Sequence, residues 1–275
     1  MPQKLNVVIV GAHPDDCEFH AGGTAIRYIE SGHNVTFVST TCGDTGHHQL
    51  DRDAIRRRRY KETKAVADYL GIEYIVLDNP DCGLEPTVNV RQQLIGVLRR
   101  LQPDLVITHG LREYHPDHRY TAQVISDTAY VLNVPLCVPE APVAVNKDVV
   151  YCHISYKPPV DKTLVVMVPV DDYIDKKLIS LSFHESQFFE WLPWIEKTAN
   201  PSDIPTDEDG RLNFLRKRYL PKWEQIRLNY LPKIREEIGE TQIQYVEAFE
   251  VCPWGTNLDF ESARRYFPFE DVIII

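Results

Sequence analysis

The sequence predicts an α/β fold: a Rossmann-like, mostly parallel β-sheet with helices on both faces, followed by a C-terminal extension. Two observations predict it. In the first half of the chain, short apolar runs alternate with segments of helical periodicity, which is typical of βαβ units. The second half is more aromatic, and all four tryptophans lie there. We expect a Rossmann-like core over residues 1–180 and an extension over residues 181–275, made of helices and a final strand, packed on the same domain.

Six apolar or β-branched runs are predicted to form the strands, the last two of them later in the same sheet. They are Leu5–Val10, Val35–Thr40, Tyr74–Leu77, Leu105–Thr108, Val149–His153 and Leu164–Val168. Helical patterns separate the early strands. Apolar residues from Val90 to Leu101 recur on one helix face, and the segment Asp53–Leu70 is followed by Gly71, a residue typical of helix ends.

The extension contains a polar segment and a long helical pattern. Thr198–Arg211 carries two prolines and a glycine and is predicted to be an exposed loop. Leu212–Ile238 has helical spacing, and Pro221 and Pro232 are predicted to break it, because an internal proline removes a helix hydrogen bond.

Charge and apolar patterning exclude two classes of partner. The chain has 40 acidic and 30 basic residues, a formal net charge of -10, which disfavours nucleic acid. Its only basic run, Arg56–Arg59, lies in a helical pattern and is predicted to be a solvated or salt-bridged helix face. No apolar run reaches the length of a membrane span, so we expect no membrane partner.

The N-terminus and the cysteines predict a cytoplasmic protein. Met1–Lys4 leads directly into the run Leu5–Val10, which is too short for a signal peptide. The six cysteines are scattered and include no CxxC pair, so we expect reduced thiols.

The end of the first predicted strand carries the clearest indication of chemistry. The sequence there is Gly11-Ala12-His13-Pro14-Asp15-Asp16. In open α/β sheets, ligands bind at the carboxyl ends of strands where the strand order reverses. A dinucleotide site would need glycines at this turn, whereas two carboxylates repel a phosphate and attract a cation. The turn therefore predicts a metal site, although a helix N-cap with an unrelated histidine is the plainer alternative.

A second cluster follows the fourth predicted strand, at Thr108-His109 and at Tyr114-His115-Pro116-Asp117-His118. In the usual doubly wound order, the first and fourth strands are neighbours, so the two clusters would meet in one crevice. Imidazole nitrogen and carboxylate oxygen are zinc ligands, and catalytic zinc sites use three protein ligands. Surface loop histidines are the alternative for His115 and His118.

These residues resemble the PIG-L/LmbE-like family of zinc-dependent N-acetylglucosamine deacetylases. The resemblance is carried by His13-Pro14-Asp15-Asp16 with Glu18 and Gly22-Gly23-Thr24, and by His115-Pro116-Asp117-His118. Further similar segments are Thr41–Gly46, Arg59 with Glu62, Pro103–His109, His184–Gln187 and Tyr245–Phe249. The chain departs from the family at Asp44, where glutamate is more frequent, and over residues 188–240, which are longer and more aromatic.

The resemblance implies that His13, Asp16 and His118 bind Zn²⁺ or another divalent ion, and that Asp15 is the general base. It implies hydrolysis of the acetamide of an N-acetylated amino sugar, an N-acetylglucosamine-type small molecule, and a homo-oligomer. A protonated His115 would stabilise the oxyanion, with Asp117 orienting its ring. By the same resemblance, Arg59 would bind substrate or orient a site carboxylate.

Two functions are alternatives to hydrolysis. A non-catalytic sugar-binding or regulatory protein on the same fold would have lost a ligand or the base, and neither is lost. A nucleotide-binding oxidoreductase would need a glycine-rich turn, which the first strand lacks.

Several residues have more than one interpretation. His109 is a fourth ligand or a core histidine, and Arg59 with Glu62 is a site pair or a helix-surface pair. Trp191 and Trp194 form a sugar platform, an oligomer contact or ordinary core packing. Four other histidines are expected to face solvent: His20, His33, His47 and His48. A lid role is the alternative for the loop that carries His47 and His48.

Overall fold

The computed structural model describes residues 4–143 and 148–275. Met1–Gln3, part of the N-terminal segment considered above, lie outside the described residues. One sheet of eight strands forms the centre of the fold, in the order β3-β2-β1-β4-β5-β7-β6-β8. The strands are β1 (Asn6–Gly11), β2 (Asn34–Thr41), β3 (Glu73–Asn79), β4 (Leu105–Thr108), β5 (Val150–Ser155), β6 (Val165–Pro169), β7 (Val246–Val251) and β8 (Ile273–Ile274).

Helices connect and cover these strands. They are α1 (Asp16–Glu30), α2 (Arg52–Leu70), α3 (Val88–Leu101), α4 (Pro116–Val131), α5 (Ile174–Ser182), α6 (Leu192–Ile195), α7 (Glu208–Ile238) and α8 (Phe260–Tyr266). A π-helical turn, Ser186–Trp191, leads into α6, and short 3₁₀ turns lie at Pro135–Cys137, Asp171–Tyr173 and Pro201–Asp203. The predicted stop at Gly71 is confirmed, since this residue caps α2 in the left-handed conformation.

The strand order places the two sequence clusters together. β1 pairs in parallel with β2 on one side and with β4 on the other, and Val10 lies opposite Thr108. From β1 the chain continues through β2 to β3 on one side, and it then returns to β4 on the other side of β1. The strand order therefore reverses between β1 and β4. The predicted neighbourhood of the first and fourth strands is confirmed, and their carboxyl ends open on one crevice.

Both faces of the sheet are buried, as predicted for a sheet covered by helices on each side. Along β1, Val7 and Ile9 belong to one apolar cluster, together with residues of α1 and α5. Val8 and Val10 belong to a second cluster, together with residues of α3 and α4. This alternation follows from the two-residue period of a strand.

The extension contributes to the sheet itself. β7 lies between β5 and β6 and is antiparallel to both, and β8 pairs with β6 at the edge. The boundary drawn at residue 180 thus separates segments that share one sheet. In the part of the chain that the structure describes, no helix has the length and apolar character needed to cross a bilayer. All six cysteines are free.

The long helix of the extension corrects one prediction. Pro221 and Pro232 were expected to break it, but α7 continues through both from Glu208 to Ile238. Proline destabilises a helix interior without forbidding it. Here burial of one face, which includes Tyr219, Trp223 and Tyr230, supplies the compensating packing energy.

A buried ion pair joins the extension to α1. Lys177 of α5 and Glu247 of β7 are 1% and 4% exposed, and Lys177 Nζ lies 2.7 Å from Glu247 Oε1. The Glu247 carboxylate also accepts hydrogen bonds from the main-chain N–H groups of Gly23 and Thr24. Gly23 and Thr24 come directly after the kink in α1, which lies at Ala21. Glu247 therefore caps the second part of α1 as an N-cap carboxylate would.

Replacing the lysine of this pair tests its contribution to stability. The variant Lys177→Met leaves the Glu247 charge buried without its cation, and we expect the free energy of unfolding to fall by about 3–5 kcal/mol. Urea denaturation measures this change. Lys176→Met is the matched control, because Lys176 is the exposed neighbour and pairs with Glu30 at the surface. Equal stability of the two variants would contradict the proposed role of the pair.

Candidate metal centre

Three side chains that can bind a metal meet where β1 and β4 end. His13 follows β1, Asp16 is the first residue of α1, and His118 lies in the first turn of α4. Carboxylates are stabilised at helix N-termini, which suits Asp16. The close approach of Asp16 also explains Gly11, because a Cβ atom at Gly11 would lie 2.6 Å from Asp16 Cβ.

The donor atoms of these three side chains lie close together, and we call His13, Asp16 and His118 the ligand triangle. His13 Nδ1 lies 3.3 Å from Asp16 Oδ2 and 3.3 Å from His118 Nε2. His118 Nε2 lies 3.5 Å from Asp16 Oδ1, so the two histidines face different oxygens of the carboxylate. Ligands of a tetrahedral zinc ion at 2.0–2.1 Å are about 3.3–3.4 Å apart. These contacts are therefore of the length expected between ligands of one zinc-sized ion.

Carboxylates face the far nitrogens of both imidazoles. His13 Nε2 lies 3.2 Å from Asp81 Oδ1 and 3.4 Å from Asp117 Oδ2. His118 Nδ1 lies 3.7 Å from Glu113 Oε2. Carboxylate partners of this kind fix the orientation of metal-binding histidines and raise their basicity. The arrangement resembles the surroundings of a metal ligand more than those of a core histidine.

The electrostatics of the centre favour positive charge. Burial opposes ionisation of Asp16, but the nearby His118 and His109 rings hold its pKa well below the ordinary value. Burial also acts against a charged His13, yet hydrogen bonds to Asp117, Asp16 and Asp81 raise its pKa well above the ordinary value. The carboxylates thus stabilise a cation at this position.

Other groupings of potential ligands overlap this triangle, with ligand atoms within 4.8 Å of one another. They are His13 with His115 and His118, His20 with His109 and His118, and His13 with Asp81 and Asp117. His109 is a poor metal ligand in the second of these groupings, because its Nε2 already accepts a hydrogen bond of 3.0 Å from the Ala12 N–H. Of the two interpretations of His109, the structure therefore favours a buried histidine that supports the β1 turn.

Asp15 is held by a buried guanidinium. Arg59 Nη2 lies 3.0 Å from Asp15 Oδ2 and donates to the Pro14 carbonyl at 2.8 Å. Burial raises the pKa of Asp15 to about 6, although the Arg59 charge acts in the opposite direction. A carboxylate with this pKa is suited to accept a proton near neutral pH.

The contacts of Arg59 favour one of the two roles expected for it. Its side chain is 2% exposed and its charge faces Asp15, so orientation of a site carboxylate is favoured over direct substrate binding. Glu62 is buried as well and accepts hydrogen bonds from Ser186, which excludes a helix-surface pair. Gly43 has φ +66°, and a Cβ atom there would lie 2.7 Å from Arg59 Nη1, so glycine is required where the guanidinium passes.

The roles expected for His115 and Asp117 change in the structure. His115 Nδ1 accepts a hydrogen bond from the Asp117 main-chain N–H and caps α4. The Asp117 carboxylate instead contacts His13 and accepts a hydrogen bond of 2.7 Å from the Cys82 N–H. Burial and the neighbouring His13 and His118 lower the pKa of His115, which favours its neutral form. A neutral His115 bonded in this way carries its proton on Nε2.

A cleft with a volume of about 650 Å³ opens over the centre. The turn after β1, His115 and His118 line its inner end, and Thr45 and Gly46 of the loop after β2 line one side. Its outer side is apolar and comes largely from the extension. The apolar residues lining it are Phe19, Phe188, Trp191, Leu192, Ile195 and Tyr219.

Two of the histidines expected to face solvent take other positions. His20 lines the cleft, and its Nδ1 lies 3.0 Å from the hydroxyl of Tyr156. His47 Nε2 lies 2.9 Å from Glu190 Oε2, and the His47 side chain is 2% exposed. The expectation is wrong for both, and in this structure the loop of His47 and His48 is fastened to the extension.

Sequence reasoning missed Asp81 and Glu113. Asp81 follows the end of β3, and Glu113 precedes His115 by two residues. Their positions after the carboxyl ends of β3 and β4, two strands of the parallel part of the sheet, could have indicated a role. Glu18 and His184, both fully buried, form a further pair at 2.8 Å behind the turn.

Comparisons with known proteins place the chain among deacetylases and a hydratase. The family model described as PIG-L, GlcNAc-PI de-N-acetylase, matches residues 8–129. Diacetylchitobiose deacetylase of Thermococcus kodakarensis is 28% identical over 210 residues, which are 70% of this chain and 76% of that protein.

Two solved structures share the fold. The N,N'-diacetylchitobiose deacetylase from Pyrococcus horikoshii matches with a TM-score of 0.68 and 24% identity, over 90% of this chain and 83% of that chain. The 4-carboxy-2-hydroxymuconate hydratase from Pseudomonas putida matches with a TM-score of 0.64 and 16% identity, over 92% and 98%.

The carboxylates behind the ligands provide a test of the centre that does not depend on activity. Asp81→Asn removes the charge facing His13 Nε2, and we expect zinc affinity to fall by about 10- to 100-fold. Titration of the metal-free protein with Zn²⁺ against a competing chelator measures this. Asp78→Asn is the control, because Asp78 is 70% exposed and pairs with Arg56. Unchanged affinity in Asp81→Asn would show that this carboxylate does not support a ligand.

Proposed function

Because residues 8–129 match the PIG-L family model and the chain is similar to proteins named as deacetylases, we propose that it is a metal-dependent hydrolase that removes the acetyl group from an N-acetylated amino sugar. His13, Asp16 and His118 bind the metal, and zinc is the ion that their donor set fits best. One observation carries the proposal: Asp15, adjacent in sequence to Asp16, lines the same cleft and is held there by Arg59. A base beside a three-ligand centre is the arrangement that hydrolysis requires.

A zinc ion bound to these ligands would lower the pKa of a water molecule to about 7 and polarise the carbonyl of the acetamide. Asp15 accepts the proton of the attacking water as the new C–O bond forms. It then returns that proton to the amine nitrogen as the C–N bond breaks, so that acetate and the free amine leave. Arg59 keeps the Asp15 carboxylate directed at the cleft in both steps.

His115 acts on the carbonyl oxygen. Its Nδ1 is occupied by the Asp117 main-chain N–H, so Nε2–H is the group available to the cleft. A hydrogen bond from this group stabilises the negative charge that develops on the oxygen when water adds. Asp117 and Asp81 contribute by holding His13, and Glu113 contributes by lying behind His118.

The acetamido sugar is supported by the named activities of the relatives. The relative from Thermococcus kodakarensis is named a diacetylchitobiose deacetylase, and the matching family model is named for a GlcNAc-PI de-N-acetylase. A non-catalytic sugar-binding protein is disfavoured, because the ligand triangle, the base and its arginine are all in place. The cytoplasmic location remains a prediction.

Hydration of a carbon–carbon double bond is the second candidate reaction, since one structural neighbour is a hydratase. The same centre could activate water for addition instead of hydrolysis. Amine release from N-acetylglucosamine derivatives distinguishes the two, because a hydratase releases no amine. If the purified protein hydrates an unsaturated tricarboxylate and releases no amine from acetamido sugars, the deacetylase proposal is wrong.

Removal of the base should abolish most of the turnover while the metal stays bound. Asp15→Asn has no carboxylate to accept the proton, so we expect kcat to fall by about 100- to 10,000-fold while zinc content stays near one ion per chain. Amine release and elemental analysis measure the two quantities. His118→Ala is the contrasting variant, in which we expect both zinc and activity to be lost. Full activity in Asp15→Asn would disprove the assignment of the base.

Metal exchange should identify the native ion. Dialysis against a chelator is expected to abolish amine release, and one equivalent of Zn²⁺ per chain is expected to restore it. Mg²⁺ should not restore activity, because two of the three ligands are imidazoles. Equal activity of the metal-free protein would contradict metal dependence.

A further inference from the structure

The outer side of the cleft is an apolar wall built mainly by residues beyond the matched family region, which ends at residue 129. We define the aromatic wall as Phe188, Trp191, Leu192, Ile195 and Tyr219. It faces the same cavity as the metal ligands, so a molecule bound at the centre extends along it. The cavity of about 650 Å³ is within the range of pockets that enclose ligands larger than one sugar ring.

The wall is held rigidly before any ligand binds. The Trp191 ring stacks on the Trp194 ring at a centroid distance of 5.3 Å, and Trp194 stacks on His48 at 4.6 Å. Glu190 bonds His47, and Gln187 Nε2 donates to the Gly46 carbonyl. Because these contacts join the π-helical turn to the loop after β2, little ordering of Trp191 is needed when a ligand binds.

One carboxylate at the rim of the wall is shared by two cations. Lys222 lies 3.7 Å from Glu196, and Arg218 lies 2.7 Å from the same carboxylate. Tyr219 also accepts a hydrogen bond from Arg218 through its hydroxyl. The one excess positive charge falls on Lys222, whose side chain is half exposed to solvent, whereas the five residues of the wall are apolar or aromatic. The wall itself therefore favours an apolar occupant.

We propose that the aromatic wall binds an apolar or aromatic aglycone attached to the acetamido sugar, with Trp191 as the principal contact. Flat apolar groups stack on an indole ring, and Leu192 and Ile195 add aliphatic contacts at the edge. The proposal rests on the proposed function, since it assigns the part of the substrate that lies beyond the reacting acetamide. Trp191 is a specificity-determining residue and takes no part in the bond changes.

Three kinds of substrate test whether the aromatic wall binds an aglycone. They are N-acetylglucosamine, its disaccharide N,N'-diacetylchitobiose, and phenyl N-acetylglucosaminide in both anomers. For the native protein we expect kcat/KM for one phenyl glycoside to exceed that of the other two substrates by about tenfold or more. In Trp191→Ala this advantage should disappear, while kcat/KM for N-acetylglucosamine stays within about threefold of the native value.

Substitution of a tryptophan outside the cleft is the matched control for Trp191→Ala. Trp254 is 40% exposed, contacts His153 and does not line the cleft, so Trp254→Ala should keep the preference for the phenyl glycoside. Three results would overturn the proposal: no preference for the phenyl glycoside, a preference for the disaccharide, or an equal loss for all three substrates in Trp191→Ala.

Binding of phenyl glucoside, which lacks the acetamide, separates this proposal from the proposed function. If no amine is released from any acetamido sugar, the proposed function fails. The wall is then judged by calorimetry alone: phenyl glucoside should bind the zinc-loaded native protein at least tenfold more tightly than Trp191→Ala. Equal or undetectable binding to both proteins would overturn the proposal.

Discussion

Repulsion among buried carboxylates is the constraint on which the site depends. Asp16, Asp81 and Asp117 each place an oxygen within 3.4 Å of a nitrogen of His13. Like charges this close cannot all remain ionised at low dielectric without a cation among them. Arg59 supplies one positive charge at Asp15, and the ligand triangle supplies the position for another. The residues proposed to bind the metal and the carboxylates whose repulsion a cation would relieve therefore belong to one network.

The sheet topology creates that network from distant parts of the sequence. Parallel pairing of β1 with both β2 and β4 brings three loops to one edge, and β3 adds a fourth through its pairing with β2. The loops after β1, β3 and β4 contribute acidic or imidazole groups to it, because the carboxyl ends of parallel strands lie at the same edge of the sheet. Helix N-termini of α1 and α4 point at this edge and favour the negative charges of their first turns.

Much of this could be predicted from the sequence, for reasons that differ between residues. The strands and the meeting of the two clusters follow from apolar periodicity and a common strand order, and both are confirmed. Asp81 could not be found in this way, since a single carboxylate in a loop has no periodicity. The partner of the Asp117 carboxylate depends on the loop that places Cys82 beside it, and no sequence pattern encodes that geometry. Pro221 misled the prediction of α7, because tertiary packing outweighs a local helix penalty.

The extension links substrate recognition to the integrity of the metal centre. β7 is an internal strand, and its Glu247 caps the second part of α1, whose first residue is the ligand Asp16. The segment that carries Trp191 is fastened to the loop after β2, and Ser186 at its start bonds Glu62 on the helix of Arg59. A change in the extension can therefore affect the proposed base through α2 and the proposed ligand Asp16 through α1. The proposed specificity of the aromatic wall can change without disturbing the centre only at positions outside these two anchors, and Trp191 is such a position.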